Sequence, residues 1–303
     1  MRTTTAVKTF EIQPLGDYSL EESAGFIGAW HQAPAEGGAT EGHLHLAFLT
    51  DGDWKPVGVC LTQNAAGDVR GTVYGDAEVV SVKRQVSRIL SLDVDGRGWA
   101  AVGKRDPVVA GLQRMFGGFR PVNWSNAYEA AAWCLISSRI TMRQGQGIKD
   151  RMSRELGREI DVHGHTLWVF PEPPRLIELE DFAGLFGRKV EYLNALGRAA
   201  LAGALDTETL REMPREESLL KLQELKGIGE FGSQLVRLRA LSAVDELPTQ
   251  EPRLAGAIRV AYGLGAKVEE LAESWRPYRM WVCVCLRRTV AGGAGMTHSR
   301  ASR

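Results

Sequence analysis

Hydrophobic and polar residues alternate along several short segments in the first third of the chain. This two-residue period is typical of strands that have one buried face. A later run places Val79, Val82 and Val86 at helical spacing and predicts a helix behind the last strand. The predicted strands are 9–12, 43–49, 57–61 and 68–74. These elements together predict a small α+β domain over residues 1–112.

Helical spacing replaces this alternation from about residue 120 onward. Ser125 or Asn126 is suited to cap the first of these helices. The proline-rich segment 171–174 is predicted to divide the helical half into two lobes. Further helices are predicted at 144–157, 180–187, 189–203, 206–213, 216–225, 251–263, 267–274 and 275–290. The pattern therefore predicts an all-helical unit at 113–290 and a flexible tail at 291–303.

Two glycines interrupt the helical pattern within the segment 225–232. Leucines at helical spacing precede Gly227 and Gly229, and a second apolar stripe follows them. A reversal this short between two helices requires a positive φ and a close backbone approach, which favours glycine. The second helix begins with unpaired N–H groups, and such an end binds phosphate. The predicted phosphate contacts are Gly227, Gly229, Phe231 and Gly232. An ordinary turn between helices is the alternative.

Composition indicates a globular protein and sets bounds on its partners. The 303 residues are 44% hydrophobic and 24% charged, and the formal net charge is zero. Neutrality argues against a surface covered with phosphate contacts, although residues 139–158 carry a local basic excess that a solvated helix face would also explain. The sequence shows neither an apolar run long enough to span a bilayer nor a secretory signal, so we expect a cytoplasmic location and no membrane partner.

The cysteines and histidines do not form a metal-binding pattern in the sequence. Cys60, Cys134, Cys283 and Cys285 include no CxxC pair, and reduced thiols are the expectation. The pairs His43/His45 and His163/His165 each lack a third ligand at suitable spacing. The sequence therefore predicts no metal site and no cofactor.

One acidic residue follows the hairpin at the start of a later predicted helix. Pro252 suits the first helical turn, which places Glu251 at the N-terminus of that helix. Backbone N–H groups and the helix dipole would hold this carboxylate in its ionised form. A capping acid without chemistry is the alternative.

These features together resemble a known family. The segment 225–229, a proline-containing loop and a following acid are similar to the helix-hairpin-helix DNA glycosylases, in particular the AlkA-like 3-methyladenine DNA glycosylase II branch. The resemblance covers most of the chain. It implies an α+β N-terminal domain followed by a mostly α-helical, two-lobe helix-hairpin-helix glycosylase domain. Its catalytic carboxylate lies twenty-four positions after the first hairpin glycine, which is Glu251 here, although the family has Asp. Counting from Pro248 gives Gln250 instead, and both counts stay open.

The resemblance also implies a reaction and a partner. It implies a monomer that flips a damaged or alkylated base out of double-stranded DNA and hydrolyses its N-glycosidic bond. Members with lyase activity carry a Schiff-base lysine where this chain has Phe231, so simple base excision is expected. The aromatic residues expected to form the base pocket are Phe231, Trp281, Tyr128 and Trp124. A catalytically weak or inactive DNA-binding homologue is the main alternative, and a module for protein partners is another.

Overall fold

A computed structural model describes residues 8–29, 37–40 and 42–291. The elements of the first part are β1 Lys8–Ile12, α1 Leu20–Ala29, β2 Gly37–Thr40, β3 His43–Leu49, β4 Pro56–Gln63, β5 Val69–Tyr74 and α2 Val79–Ile89. The five strands form an antiparallel sheet with the order β1-β5-β4-β3-β2. Strand β2 and helix α1 were not predicted, whereas the other four strands and α2 are confirmed.

Helices dominate the rest of the chain and are interrupted by one β-hairpin. Asn126 caps α5 as expected, because its side-chain oxygen accepts the Glu129 N–H at 2.8 Å. Within the described residues, no helix combines the length and apolar character needed to cross a bilayer. The elements are α3 Trp99–Arg105, α4 Pro107–Met115, α5 Ala127–Ser137, α6 Met142–Leu156, β6 Arg158–Val162, β7 His165–Val169, α7 Pro173–Ile177, α8 Lys189–Leu201, α9 Thr207–Glu212, α10 Arg215–Gln223, α11 Glu230–Arg239, α12 Pro252–Tyr262, α13 Val268–Leu271 and α14 Arg279–Ala291.

Two sequence predictions in this part are wrong in ways that backbone chemistry explains. No helix forms over 180–187, where Gly184 and Gly187 adopt φ of 94° and 63°. The last helix begins at Arg279 instead of residue 275, because the ring of Pro277 disfavours helical backbone at the preceding Arg276. The hairpin of β6 and β7 and the helices α3 and α4 were missed.

The sheet lies between two hydrophobic cores. Leu44, Leu46 and Phe48 of β3 pack into one core with α2, α12 and α14. Ala47 and Leu49 of the same strand pack into the other core with α5, α8 and α11. Successive strand residues point to opposite faces, so one strand serves both cores. Both cores contain residues from each side of position 112, and the proposed boundary there stays a prediction.

Candidate active site

The hairpin between α10 and α11 has a backbone that requires glycine at its first position. Gly227 adopts φ of 86°, and a Cβ there would meet side-chain carbons of Tyr192 and Leu135 at 2.5 and 2.8 Å. Gly229 is the N-cap of α11, and its carbonyl accepts the Ser233 N–H at 2.9 Å. The N–H groups of residues 230–232 are those that helix geometry leaves without intrahelical partners. The predicted phosphate contacts thus lie together at one helix N-terminus, which Gly229 leaves exposed.

A cavity of about 750 Å³ opens beside this helix N-terminus. Its wall combines aromatic rings with a few polar side chains, a composition typical of small-molecule sites. Residues of α5, α11, α12 and α14 all contribute to it. The aromatic lining is Phe26, Phe116, Trp124, Trp133 and Phe231, and the polar lining includes Gln234, Gln250, Glu251, Arg239, Arg253, Arg287 and Arg288.

Glu251 places its carboxylate in this cavity with both oxygens engaged. It is the N-cap of α12, and Oε1 accepts the Arg253 N–H at 3.1 Å. Oε2 lies 2.6 Å from Nη1 of Arg287, which α14 supplies. The two side chains are 24% and 23% exposed, so water still reaches the pair. Asp245, another acid of the same loop, is instead held by Arg276 and Arg279 at 2.7 and 2.9 Å.

The loop before Glu251 is fixed to the hairpin helix by one side chain. Gln234 of α11 accepts the backbone N–H groups of Thr249 and Gln250 at 3.1 and 3.3 Å. Gln250 also lines the cavity, so both candidate positions for the catalytic residue, Gln250 and Glu251, border it. Sequence reasoning overlooked Gln234. Gln234 follows Phe231 by three positions on α11, and residues three apart lie on the same face of a helix, so this spacing could have identified it.

The predicted pocket aromatics separate into two groups. Phe231, which is 49% exposed, and the buried Trp124 line the cavity. Tyr128 and Trp281 do not belong to the described lining, and both are almost fully buried. Tyr128 donates to the Pro171 carbonyl at 2.9 Å, and Trp281 packs 4.9 Å from the Tyr278 ring. These two residues pack in the core and lie outside the lining of this cavity, and their role in a base pocket stays a prediction.

Arginine determines the charge of the cavity wall. Among the described residues that line it, four arginines face the single carboxylate of Glu251. Burial lowers the pKa of Arg239 to about 9, and the neighbouring Arg287 acts in the same direction. Arg288 is neutralised by Glu22 at 2.7 Å. The cavity wall thus retains positive charge at neutral pH.

Comparisons with known proteins identify one group of relatives. No protein-family model matches the chain. The DNA-3-methyladenine glycosylase of Bacillus subtilis (strain 168) is 24% identical over 206 residues, which are 66% of this chain and 68% of the relative.

Solved structures extend the likeness to almost the whole fold. The 3-methyladenine DNA-glycosylase from Archaeoglobus fulgidus superposes with a TM-score of 0.74 at 20% identity, over 93% of this chain and 97% of that chain. The Clostridium acetobutylicum 8-oxoguanine glycosylase/lyase, in complex with double-stranded DNA containing cytosine opposite 8-oxoguanine, gives a TM-score of 0.64 at 16% identity. That match covers 94% of this chain and 99% of that chain.

Proposed function

We propose that this chain, which belongs to the helix-hairpin-helix DNA glycosylase superfamily, removes damaged bases from double-stranded DNA by hydrolysing the N-glycosidic bond. The observation that carries the proposal is the cavity beside the hairpin, where Glu251 shares a wall with aromatic rings. Alkylated bases are the proposed substrate class because the Bacillus subtilis relative is named for an alkylated base, 3-methyladenine. The protein is proposed to act as a monomer.

The two parts of the site divide the work of binding. Backbone N–H groups at the start of α11 bind a DNA phosphate and fix the register of the duplex, as helix N-termini do. A nucleotide that leaves the base stack enters the cavity and stacks against Phe231 and Trp124. The volume of about 750 Å³ lies within the range of small-molecule sites.

Glu251 is the proposed catalytic residue. Bond cleavage leaves positive charge on the sugar, a fixed carboxylate near it stabilises that charge, and a water molecule then bonds to the sugar carbon to complete the hydrolysis. The N-terminus of α12 holds this carboxylate in place. Arg287 holds the second carboxylate oxygen at 2.6 Å and helps to fix the direction of the carboxylate.

The reaction is proposed to stop at base excision. Lyase chemistry requires an amine nucleophile that forms a Schiff base. Phe231 occupies the corresponding hairpin position, and the described cavity wall contains arginines, glutamines and two tryptophans but no lysine. Guanidinium groups stay protonated and amides are not nucleophilic, so neither replaces a lysine. The structural relative from Clostridium acetobutylicum is named a glycosylase/lyase, so the difference is testable.

The test is single-turnover excision from a duplex that contains one methylated purine. Wild type should release the free base and leave an unbroken abasic strand, and Glu251→Gln should lower the rate on the order of 100-fold or more. Glu270→Gln, which changes a 71% exposed acid on α13, is the matched control and should react like wild type. Full activity in Glu251→Gln would remove the catalytic assignment.

An inactive DNA-binding homologue is the second candidate, and one observation favours it. Both oxygens of Glu251 already have partners, while the uncharged Gln250 occupies the other counted position. This alternative predicts salt-dependent duplex binding with no base release from any lesion. It further predicts that Gln250→Asp creates activity. Activity in wild type that Gln250→Asp reduces would exclude it.

A further inference from the structure

Two histidine pairs that are far apart in the sequence meet on one face of the sheet. His43 and His45 alternate on β3 and therefore point to the same side. Cys60 of β4 lies opposite His45 in the antiparallel register. The turn between β6 and β7 brings His163 above these three residues. Spacing along the sequence does not predict this cluster, because its donors are up to 120 positions apart.

The donor atoms have nearly the spacing of a tetrahedral site. His43 Nδ1 lies 3.2 Å from Cys60 Sγ, and His45 Nε2 lies 3.4 Å from His163 Nδ1. One donor atom from each of the four residues lies within 4.8 Å of all the others. Bonds of about 2.0–2.1 Å to nitrogen and 2.3 Å to sulfur put neighbouring ligands of tetrahedral zinc roughly 3.3–3.6 Å apart. The separation of 3.4 Å lies in this range, and the separation of 3.2 Å lies just below it.

The backbone of the turn is built for close approach to the sheet. His163 and Gly164 have φ of 55° and 82°, the two positive values of a two-residue hairpin turn in which Asn-Gly is usual. A Cβ on Gly58 of β4 would lie 2.2 Å from Cγ2 of Val162, so the hairpin rests directly on that strand. Histidine at a left-handed position is uncommon, and here its ring faces a cysteine and two other histidines.

We propose that His43, His45, Cys60 and His163 form a structural zinc site that joins the five-stranded sheet to the β6–β7 hairpin. Three imidazoles and one thiolate are a donor set that zinc favours, and all four ligands come from the protein, as in structural sites. None of the four residues lines the cavity beside the hairpin of α10 and α11. The site is therefore separate from the proposed glycosylase reaction, and either proposal can fail alone.

The test measures zinc and cobalt binding to the full chain after chelator treatment. Wild type should bind one equivalent of Zn²⁺, melt at a higher temperature with it, and show a thiolate-to-cobalt charge-transfer band with Co²⁺. Cys60→Ser should abolish that band. His163→Asn should abolish one-to-one zinc binding while keeping the fold, because asparagine suits the left-handed turn position.

Two matched controls separate a built site from adventitious binding. Cys134→Ser changes a thiol outside the cluster, and His165→Asn changes the imidazole 4.6 Å from His45 that is not among the four donors. Both controls should keep one equivalent of zinc and the cobalt band. The proposal is overturned if wild type binds no stoichiometric zinc, or if the cobalt band survives in Cys60→Ser. Circular dichroism of each variant without metal confirms that it is folded.

Discussion

Two ion pairs of the helical region have the same chemistry and opposite surroundings. Glu129 and Lys149 are 2.7 Å apart and are only 7% and 0% exposed. Glu251 and Arg287 are 2.6 Å apart and are about a quarter exposed. The first pair is closed in by protein, with the Ser125 hydroxyl on the carboxylate and the Trp124 ring 5.5 Å from the ammonium. The second pair borders an open cavity.

The two pairs differ in the energetic cost of removing one partner from each carboxylate. A buried carboxylate that loses its partner has no water to replace it, so the pair can serve only structure. A partly exposed carboxylate keeps access to solvent, and its pairing contributes little to stability. It can therefore change partners during a reaction. This contrast assigns Glu129–Lys149 to the fold and Glu251–Arg287 to function, and it also removes Lys149 from the basic surface counted in the sequence.

The largest predicted effect is on the stability of Lys149→Met. The substitution removes the ammonium that lies 2.7 Å from the buried Glu129 carboxylate, and it should lower the free energy of unfolding by about 3–5 kcal/mol. Urea denaturation followed by circular dichroism measures it. Arg287→Met, the equivalent change in the partly exposed pair, should lower it by no more than about 1 kcal/mol. Equal losses in the two variants would show that burial does not distinguish the pairs.

The second prediction concerns excision rates in a cycle of Glu251→Gln and Arg287→Gln. If Arg287 acts by positioning the carboxylate, Arg287→Gln alone should slow excision by about 10-fold, less than the roughly 100-fold expected for Glu251→Gln. The double variant should be no slower than Glu251→Gln, because Arg287 has no carboxylate to position once Glu251 is replaced. Single-turnover rates and urea midpoints of all four proteins test this. Rate losses that multiply in the double variant would mean that the two residues act separately.

The third prediction compares two glycines of the hairpin backbone, one that the fold requires and one proposed to bind DNA. Gly227→Ala should destabilise the protein by about 1–2 kcal/mol, since φ is positive and the added carbon meets Tyr192. Gly229 has φ of −102°, and a carbon added there meets nothing within 4 Å. Gly229→Ala should therefore stay stable but weaken duplex binding about tenfold, because the methyl stands where a phosphate approaches. Urea midpoints and fluorescence anisotropy measure both. Unchanged DNA affinity in Gly229→Ala would argue against phosphate binding at this helix end.

Local patterns predicted the hairpin, the Asn126 cap and the position of Glu251, because each depends on residues close together in the sequence. The pocket aromatics were harder to predict, since α5 is buried on nearly every side from Ala127 to Ile136. A helix that is apolar all round has no periodicity to show which face borders a cavity. Trp133, which lines it, and Tyr128, which does not, are therefore alike in the sequence. The histidine cluster needed long-range contacts that spacing cannot reveal.

The smallest predicted effect is on the choice of damaged base. With Arg287 and Arg288 paired to acids, the exposed Arg253 leaves positive charge on the cavity wall. Like charge disfavours a cationic base, and the exposed position of Arg253 limits the effect to a few-fold. The ratio of two excision rates, that of a neutral alkylated purine divided by that of a cationic methylated purine, should therefore be a few-fold larger in wild type than in Arg253→Gln. Rates on paired duplexes at low and high salt measure this, and salt should narrow the difference. An Arg253→Gln variant with an unchanged ratio would place the charge that selects the base elsewhere in the cavity, with Arg287 as the residue to test next.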